Sequence, residues 1–265
     1  MKNNDLLYLS DLNLAESVRE ITRWHSGGHV IEHDDLLITK GADLTPVTNF
    51  TIRTAPEAKP PADKVMEMIR DYYYECNSGF SIYVRSHIDS DLETTCQSAN
   101  VIKIYDNPGM MIDKVIPEKP MPEDVEIRPV KDISGAEDFA RVAIDSFQSL
   151  GMRPETGDKI FAAPERMLKP YNYLVVGYVR GVPSSCAMVI FSHSIAGVYW
   201  VGTAQNARRI GLAEASTRAV TNEALNKGAR VVVLQASRFG EPIYRRMGFN
   251  EFTRYLWYMY FHKKI

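Results

Sequence analysis

The residues from 198 to 213 read Val-Tyr-Trp-Val-Gly-Thr-Ala-Gln-Asn-Ala-Arg-Arg-Ile-Gly-Leu-Ala. Their pattern predicts a strand that enters a short loop and passes at once into a long helix. The first N–H groups of a helix lack internal partners and stand at the positive end of its dipole. Gly211 and Ala213 carry little or no side chain, so backbone amides there can approach an anion closely. Arg208 and Arg209 add positive charge. The chemistry on offer is recognition of a phosphate or a similar anion. An ordinary strand-to-helix turn with solvated arginines uses the same residue types, so this segment alone leaves both readings open.

A second segment follows: Leu234-Gln-Ala-Ser-Arg-Phe-Gly-Glu-Pro-Ile-Tyr-Arg-Arg-Met-Gly-Phe249. It opens at the end of a Val/Leu run over Arg230–Ala236, the pattern of a strand buried on both faces. It continues into a short helix at Pro242–Met247, stopped by Gly248. Other groups promise less. His25, His29 and His33 recur every four residues, but Gly27-Gly28 breaks any helix there and nothing completes a ligand set, so no metal is expected. Cys76, Cys96 and Cys186 are widely spaced and odd in number, and form neither a disulfide framework nor a zinc motif.

These segments sit in a chain of 265 residues, 45% apolar and 24% charged. That balance excludes collagen, a coiled coil and global disorder. No apolar run approaches the ~20 residues of a membrane span, and the first residues lack a signal-peptide layout, so a reducing cytoplasm is expected. Residues 116–124, Ile-Pro-Glu-Lys-Pro-Met-Pro-Glu-Asp, hold three prolines and read as a linker. They divide the chain into an N-terminal part (1–115) and a C-terminal part (125–265). Residues 1–125 carry net charge −9 and residues 126–265 carry +7. An acidic part joined to a basic part suits two domains that attract each other, and a basic part suits an anionic ligand.

The C-terminal part is expected to run strand Val125–Pro129, helix Gly135–Gln148 capped by Ser134, helix Asp158–Leu168, strands Tyr173–Val179, Ser184–Ser192 and Val198–Thr203, helix Arg209–Lys227, strand Arg230–Ala236, helix Pro242–Met247 and strand Phe252–Phe261. This is an α/β layout with a mixed sheet. The N-terminal part is expected to hold helices at Leu12–Trp24, Ala62–Glu75 and Asp89–Ser98, with short strands between them and a last strand at Val101–Tyr105.

From about Val125 to Tyr260 the chain resembles a GNAT-superfamily N-acetyltransferase domain. Arg208-Arg209-Ile210-Gly211-Leu212-Ala213 is similar to that family's acyl-CoA loop. Ala236-Ser237 followed by Ile243-Tyr244-Arg245-Arg246-Met247-Gly248-Phe249 is similar to its second hallmark. The resemblance implies a GNAT-like mixed β-sheet flanked by helices, acetyl-CoA as co-substrate, and transfer to a primary amine by direct attack. It implies that Val201, Gly202 and Thr203 pair with the pantetheine arm. Arg208, Arg209, Ile210, Gly211, Leu212 and Ala213 cradle the pyrophosphate, and Ser237 lies near the pantetheine. Tyr244 falls where the family has a tyrosine that protonates the leaving thiolate, a role a phenol can fill. The carboxylate that relatives often place on the strand before the loop is missing, so the general base is unassigned; Tyr199, His193 and a water are the candidates. Residues 1–115 faintly resemble the N-terminal module of two-domain bacterial GNAT proteins, through Asn77-Ser-Gly-Phe80 and Asn107-Pro-Gly-Met-Met111. Without an acyl-CoA loop, such a module would shape the acceptor site; an unrelated α+β domain is the other reading. The expected partner is an amine-bearing acceptor, small molecule or peptide, with the chain a monomer or homodimer. No nucleic acid or membrane is expected. A non-catalytic acyl-CoA-binding or regulatory protein is the alternative.

Overall fold

The computed structural model describes residues 3–262 and holds one mixed sheet of eleven strands flanked by helices. The N-terminal part contains helix α1 (Asn3–Trp24), the hairpin β1 (His29–His33) and β2 (Leu36–Lys40), β3 (Phe50–Arg53), α2 (Ala62–Glu75), β4 (Phe80–Arg85), α3 (Ser90–Ser98) and β5 (Ile102–Ile112). The C-terminal part contains β6 (Val125–Pro129), α4 (Ile133–Phe147), α5 (Pro154–Ile160), β7 (Asn172–Val179), β8 (Val182–Ser192), β9 (Ile195–Thr203), α6 (Leu212–Asn226), β10 (Val232–Gln235), α7 (Glu241–Met247) and β11 (Asn250–Tyr260).

The strand order is β1-β2-β3-β4-β11-β5-β10-β9-β8-β7-β6. The last strand of each part thus sits among strands of the other. β11 lies antiparallel between β4 and β5, and β5 lies antiparallel between β11 and β10. Residues 113–124 carry no regular structure and lead from β5 into β6. The sheet runs through both parts.

Alternating side chains of β7 and β8 define the two faces. Val175, Ala187 and Val189 pack with Val220 and Ala224 of α6. Leu174, Val176, Cys186 and Met188 pack with Phe139, Val142 and Ala143 of α4 and with Trp24 of α1. Helices α1 and α4 therefore cover one face and α6 the other.

Four local expectations are corrected. The cap of α4 is Asp132, whose Oδ1 accepts from the Gly135 amide at 2.9 Å; Asp132 is extended, whereas Ser134 is already helical. The helix expected at 158–168 forms earlier, as α5, and Pro164 opens a separate 3-10 turn, Pro164–Met167, because proline cannot continue an α-helix. α1 begins well before Leu12. β5, expected to end at Tyr105, runs on through Asn107-Pro108-Gly109 to Ile112. Pro108 is tolerated because it lies one residue beyond the last rung beside β10, Gln235↔Gly109. Its carbonyl accepts from Ala236 at 2.9 Å, and its missing N–H would point past that strand's end.

Candidate active site

Strands β9 and β10 pair in parallel at Val232↔Ala196 and Val233↔Gly197 and then diverge. β9 continues to Thr203 and β10 to Gln235, so the sheet opens into a splay. On its other edge β9 carries a bulge. Tyr199 pairs with Met188 and Gly202 with Cys186, so Trp200 and Val201 together oppose Ala187. Trp200 has φ +51°, an outlier for a bulky residue. Its ring is held by Phe147 and Phe161, at 4.8 and 5.0 Å between centroids, and its carbonyl accepts from the Cys186 thiol at 3.2 Å. Strain of this kind costs about 1–3 kcal/mol and persists where the surroundings impose it.

The bulge leaves Val201 without a partner in either ladder. Thr203 exposes the same strand edge, but its amide donates to Ser146 Oγ at 3.0 Å and its carbonyl accepts from Arg208 Nε at 3.4 Å. Of the three strand residues expected to pair with a ligand, Val201 is the one whose backbone remains open.

After β9 the chain makes a short turn, and Arg209 (φ +71°) and Gly211 (φ +86°) adopt left-handed angles. Those angles postpone the helix, expected from Arg209, to Leu212. Gly211 caps α6 without a side-chain acceptor, so the first amides of α6 are not capped from within. A Cβ built on Gly211 meets nothing within 4 Å, so the residue is required by its backbone angle and not by crowding.

The splay, this loop and α7 enclose a cleft of about 530 Å³. Val201, Gly202, Thr203, Arg208, Arg209, Gly211, Leu212, Ala213, Ser237 and Tyr244 all line it. Ile210 does not; its side chain points outward and is 48% exposed. Ser237 forms the turn into α7, accepting from the Gly240 amide through both its Oγ and its carbonyl, and also faces the cleft. Tyr244 is buried with its ring against Gly240. Burial pushes its phenol well above the ordinary tyrosine value, and the nearby Thr217 hydroxyl opposes that shift. The phenol therefore stays protonated at neutral pH.

Sequence reasoning missed the wall formed by the end of α4. Ser146, Phe147, Ser149 and Leu150 line the cleft, and Arg208 is tied there through Ser146 O at 3.3 Å and Ser149 Oγ at 3.1 Å. Contacts across about sixty residues leave no local signal. Arg246 was also missed, although it stands two residues after Tyr244. Arg208, Arg209 and Arg246 make no ion pair among the described residues; Arg208 is held by neutral oxygens alone. The cleft also holds Glu214, in the first turn of α6. Lys119 and Arg218 each approach it at 2.5 Å, and the Lys119 contact, followed by their combined charge, holds its carboxyl below the usual range. That neutralisation leaves Arg208, Arg209 and Arg246 to set the local sign.

Position argues against one base candidate, and bonding and burial against another. His193 is exposed in the β8–β9 turn, at the end of β9 remote from the splay. The Tyr199 phenol donates to Asn13 Oδ1 at 2.7 Å, and burial raises it. His25 is buried and accepts from the Ala42 amide at 3.2 Å, while His29 and His33 lie on exposed β1, so the three histidines do not converge.

A pyrophosphate-bearing acyl carrier fits these residues. It requires uncapped helix amides, a left-handed glycine with free space beside it, unpaired cations and an unpaired strand edge, and the cleft has each. A mixed sheet opened at a parallel splay beside such a loop is the fold of the GCN5-related N-acetyltransferases. The chain is similar in structure to a GCN5-related N-acetyltransferase from Kribbella flavida, with 19% identity over 93% of each chain and a TM-score of 0.69. It is similar to another from Sphaerobacter thermophilus, with 15% identity over 88% of this chain and 82% of that one and a TM-score of 0.63. A tandem GNAT protein from the clavulanic acid biosynthesis pathway matches with 10% identity over 87% and 79% and a TM-score of 0.60. No protein-family model and no curated protein matches the sequence. Among the described residues no helix is long and apolar enough to cross a membrane.

Proposed function

We propose that this chain is an acyl-CoA-dependent N-acyltransferase that moves acetyl from acetyl-CoA to a primary amine by direct attack. The observation that carries the reading is the meeting, in one cleft, of the Gly211 loop at the start of α6 with the buried phenol of Tyr244. The amides of α6, with Arg209 and Arg246, bind the pyrophosphate. Val201 offers its unpaired backbone to the pantetheine arm, and the bulge at Trp200–Val201 supplies an N–H for the developing oxyanion. The amine nitrogen forms a bond to the acyl carbon as the carbon–sulfur bond breaks. Tyr244 gives its proton to the departing sulfur, and the proton lost by the nitrogen passes to water, from which the phenol is restored.

The test is release of free thiol from acetyl-CoA with a panel of amines, alongside titration of the protein with acetyl-CoA. Binding with amine-dependent thiol release supports the reading. Binding without release over the whole panel reduces it to an acyl-CoA-binding protein.

A further inference from the structure

The inner face of α6 carries a hydroxyl that neither the core nor acyl-CoA binding accounts for. Ala213, Thr217, Val220 and Ala224 stand three or four residues apart and share one side of the helix. Ala213 lines the cleft, and Val220 and Ala224 pack into the same core as Tyr244. Thr217 interrupts this otherwise apolar stripe. It is fully buried, and its Oγ1 makes no hydrogen bond. A helical threonine can return its hydroxyl to the carbonyl four residues back, as Thr22 does to Val18 at 2.8 Å and Thr94 to Ser90 at 3.0 Å. Thr217 does not, although the adjacent Ser216 is paired with Ser185 at 2.8 Å. A buried donor without an acceptor is costly to keep, so its surroundings need an account.

The ring of Tyr244 is fixed close by. A Cβ on Gly240 would lie 2.7 Å from that ring, and Phe249 packs on it at 5.8 Å between centroids. The Thr217 hydroxyl is near enough to the phenol to oppose the effect of burial on it, yet the two make no hydrogen bond at rest. The charged groups lining the cleft are Arg208, Arg209, Glu214 and Arg246, and none of them shifts the phenol. A phenol that gives up its proton here leaves a buried negative charge with no cation of the cleft to compensate it, and such a charge is strongly disfavoured unless it is hydrogen-bonded. The acceptor that Thr217 lacks at rest is the oxygen that Tyr244 exposes on losing its proton.

Resting on the acyltransferase reading, we infer that Thr217 is a positioning residue for the acid, its hydroxyl turning to donate to the Tyr244 oxygen as that oxygen protonates the leaving sulfur. The O–H bond of Tyr244 breaks, and the electron pair of the departing thiolate forms the S–H bond. Thr217 keeps its own proton and donates only a hydrogen bond to the phenolate, which water then reprotonates. A hydrogen bond made only as charge develops raises kcat and leaves the binding of acetyl-CoA unchanged.

The experiment measures thiol release by the full chain at saturating acetyl-CoA, with an amine that supports turnover. Thr217→Val keeps the shape of the side chain and removes the hydroxyl. It should lower kcat by about tenfold or more, with the Kd for acetyl-CoA unchanged and Tm held or raised. Thr217→Ser should restore most of the rate. Thr221 is a control, since its hydroxyl is also buried and unpaired but lies about 6 Å further along the helix from the cleft. Thr221→Val should leave kcat unchanged. In a Tyr244→Phe background Thr217→Val should cost nothing more, because the group it serves is gone. A fluorinated tyrosine at position 244, whose ordinary pKa is lower, gives a second readout by fluorine NMR. Its phenol should ionise at higher pH in Thr217→Val than beside the native threonine, because the bond to the phenolate is lost. An unchanged kcat in Thr217→Val, an equal loss in the Tyr244→Phe background, or an unmoved ionisation overturns the inference and leaves the acyltransferase reading intact. Absence of thiol release by the wild type with every amine overturns that reading, and the inference with it.

Discussion

Ser146 Oγ accepts a hydrogen bond from the Thr203 amide at 3.0 Å, and this contact ties the end of α4 to the open arm of the splay. The two residues are also packed at Gly202, where an added Cβ would lie 2.9 Å from Ser146 Cβ. With Thr203 closed in this way, Val201 is the free rung. Ser146→Val would leave the Thr203 amide without its partner and push the arm outward. The expected result is a Kd for acetyl-CoA raised about tenfold with an unchanged circular dichroism spectrum. An unchanged Kd would count against this role of Ser146.

Tyr244→Phe removes the proton donor and keeps the ring on Gly240. A positioned general acid contributes about 10²–10⁴-fold, so kcat should fall by about a hundredfold or more while acetyl-CoA binding holds. In the wild type burial keeps the phenol protonated beyond its ordinary value of 10.0, so the alkaline loss of kcat should lie above that pH. A fall in kcat centred near neutral pH would exclude Tyr244 as the acid.

Stability should depend on pH through His25. Burial, opposed in part by Asp43, lowers its value from 6.5 to about 4. Between those values the unfolded chain binds the proton and the folded chain does not, so stability rises with pH across that window and falls as the solution is acidified. The difference corresponds to roughly 3 kcal/mol below about pH 4. Tm measured from pH 4 to pH 7 should rise, and the slope should flatten in His25→Gln. An identical slope in the variant would remove His25 from the account.

The ion cluster beneath α1 offers a separate test. Arg85 meets both oxygens of Asp89 at 2.8 and 2.9 Å, and Arg53 bridges Asp89 and Asp91, with both arginines and Asp89 fully buried. Arg53→Met would leave buried charge uncompensated. Breaking such a pair costs about 3–5 kcal/mol, readable by urea denaturation. A loss under about 1 kcal/mol would show that Asp89 is satisfied by Arg85 alone.

The parts of the fold legible in the sequence are those fixed by local chemistry. Gly248 marks the end of α7 because it takes a left-handed angle, whereas the left-handed angles of Arg209 and Gly211 moved the start of α6 from Arg209 to Leu212. The Val/Leu run gave β10, since a strand buried on both faces reads as a continuous apolar stretch. What stayed hidden depends on partners distant in the chain. β11 pairs with β4 and β5, more than a hundred residues away, and nothing in its aromatic sequence names them. The run of β5 beyond Tyr105 through Asn107-Pro108-Gly109 depends on β10 and β11 lying beside it. The wall at Ser146–Leu150 and the orphan hydroxyl of Thr217 emerge from packing and carry no motif. Tyr199 is recognisable as a polar aromatic on the strand, but its bond to Asn13 spans 186 residues.

The proposed function rests on acyl-CoA binding by the splay and the Gly211 loop. Calorimetric titration with acetyl-CoA, on the wild type and on Gly211→Glu side by side, tests it most directly. Glutamate at this position would be strained at φ +86° and would set a negative charge against the pyrophosphate. Saturable binding is expected of the wild type and none of a folded Gly211→Glu. Equal binding by both would contradict the loop assignment, and no binding by the folded wild type would contradict the proposed function itself.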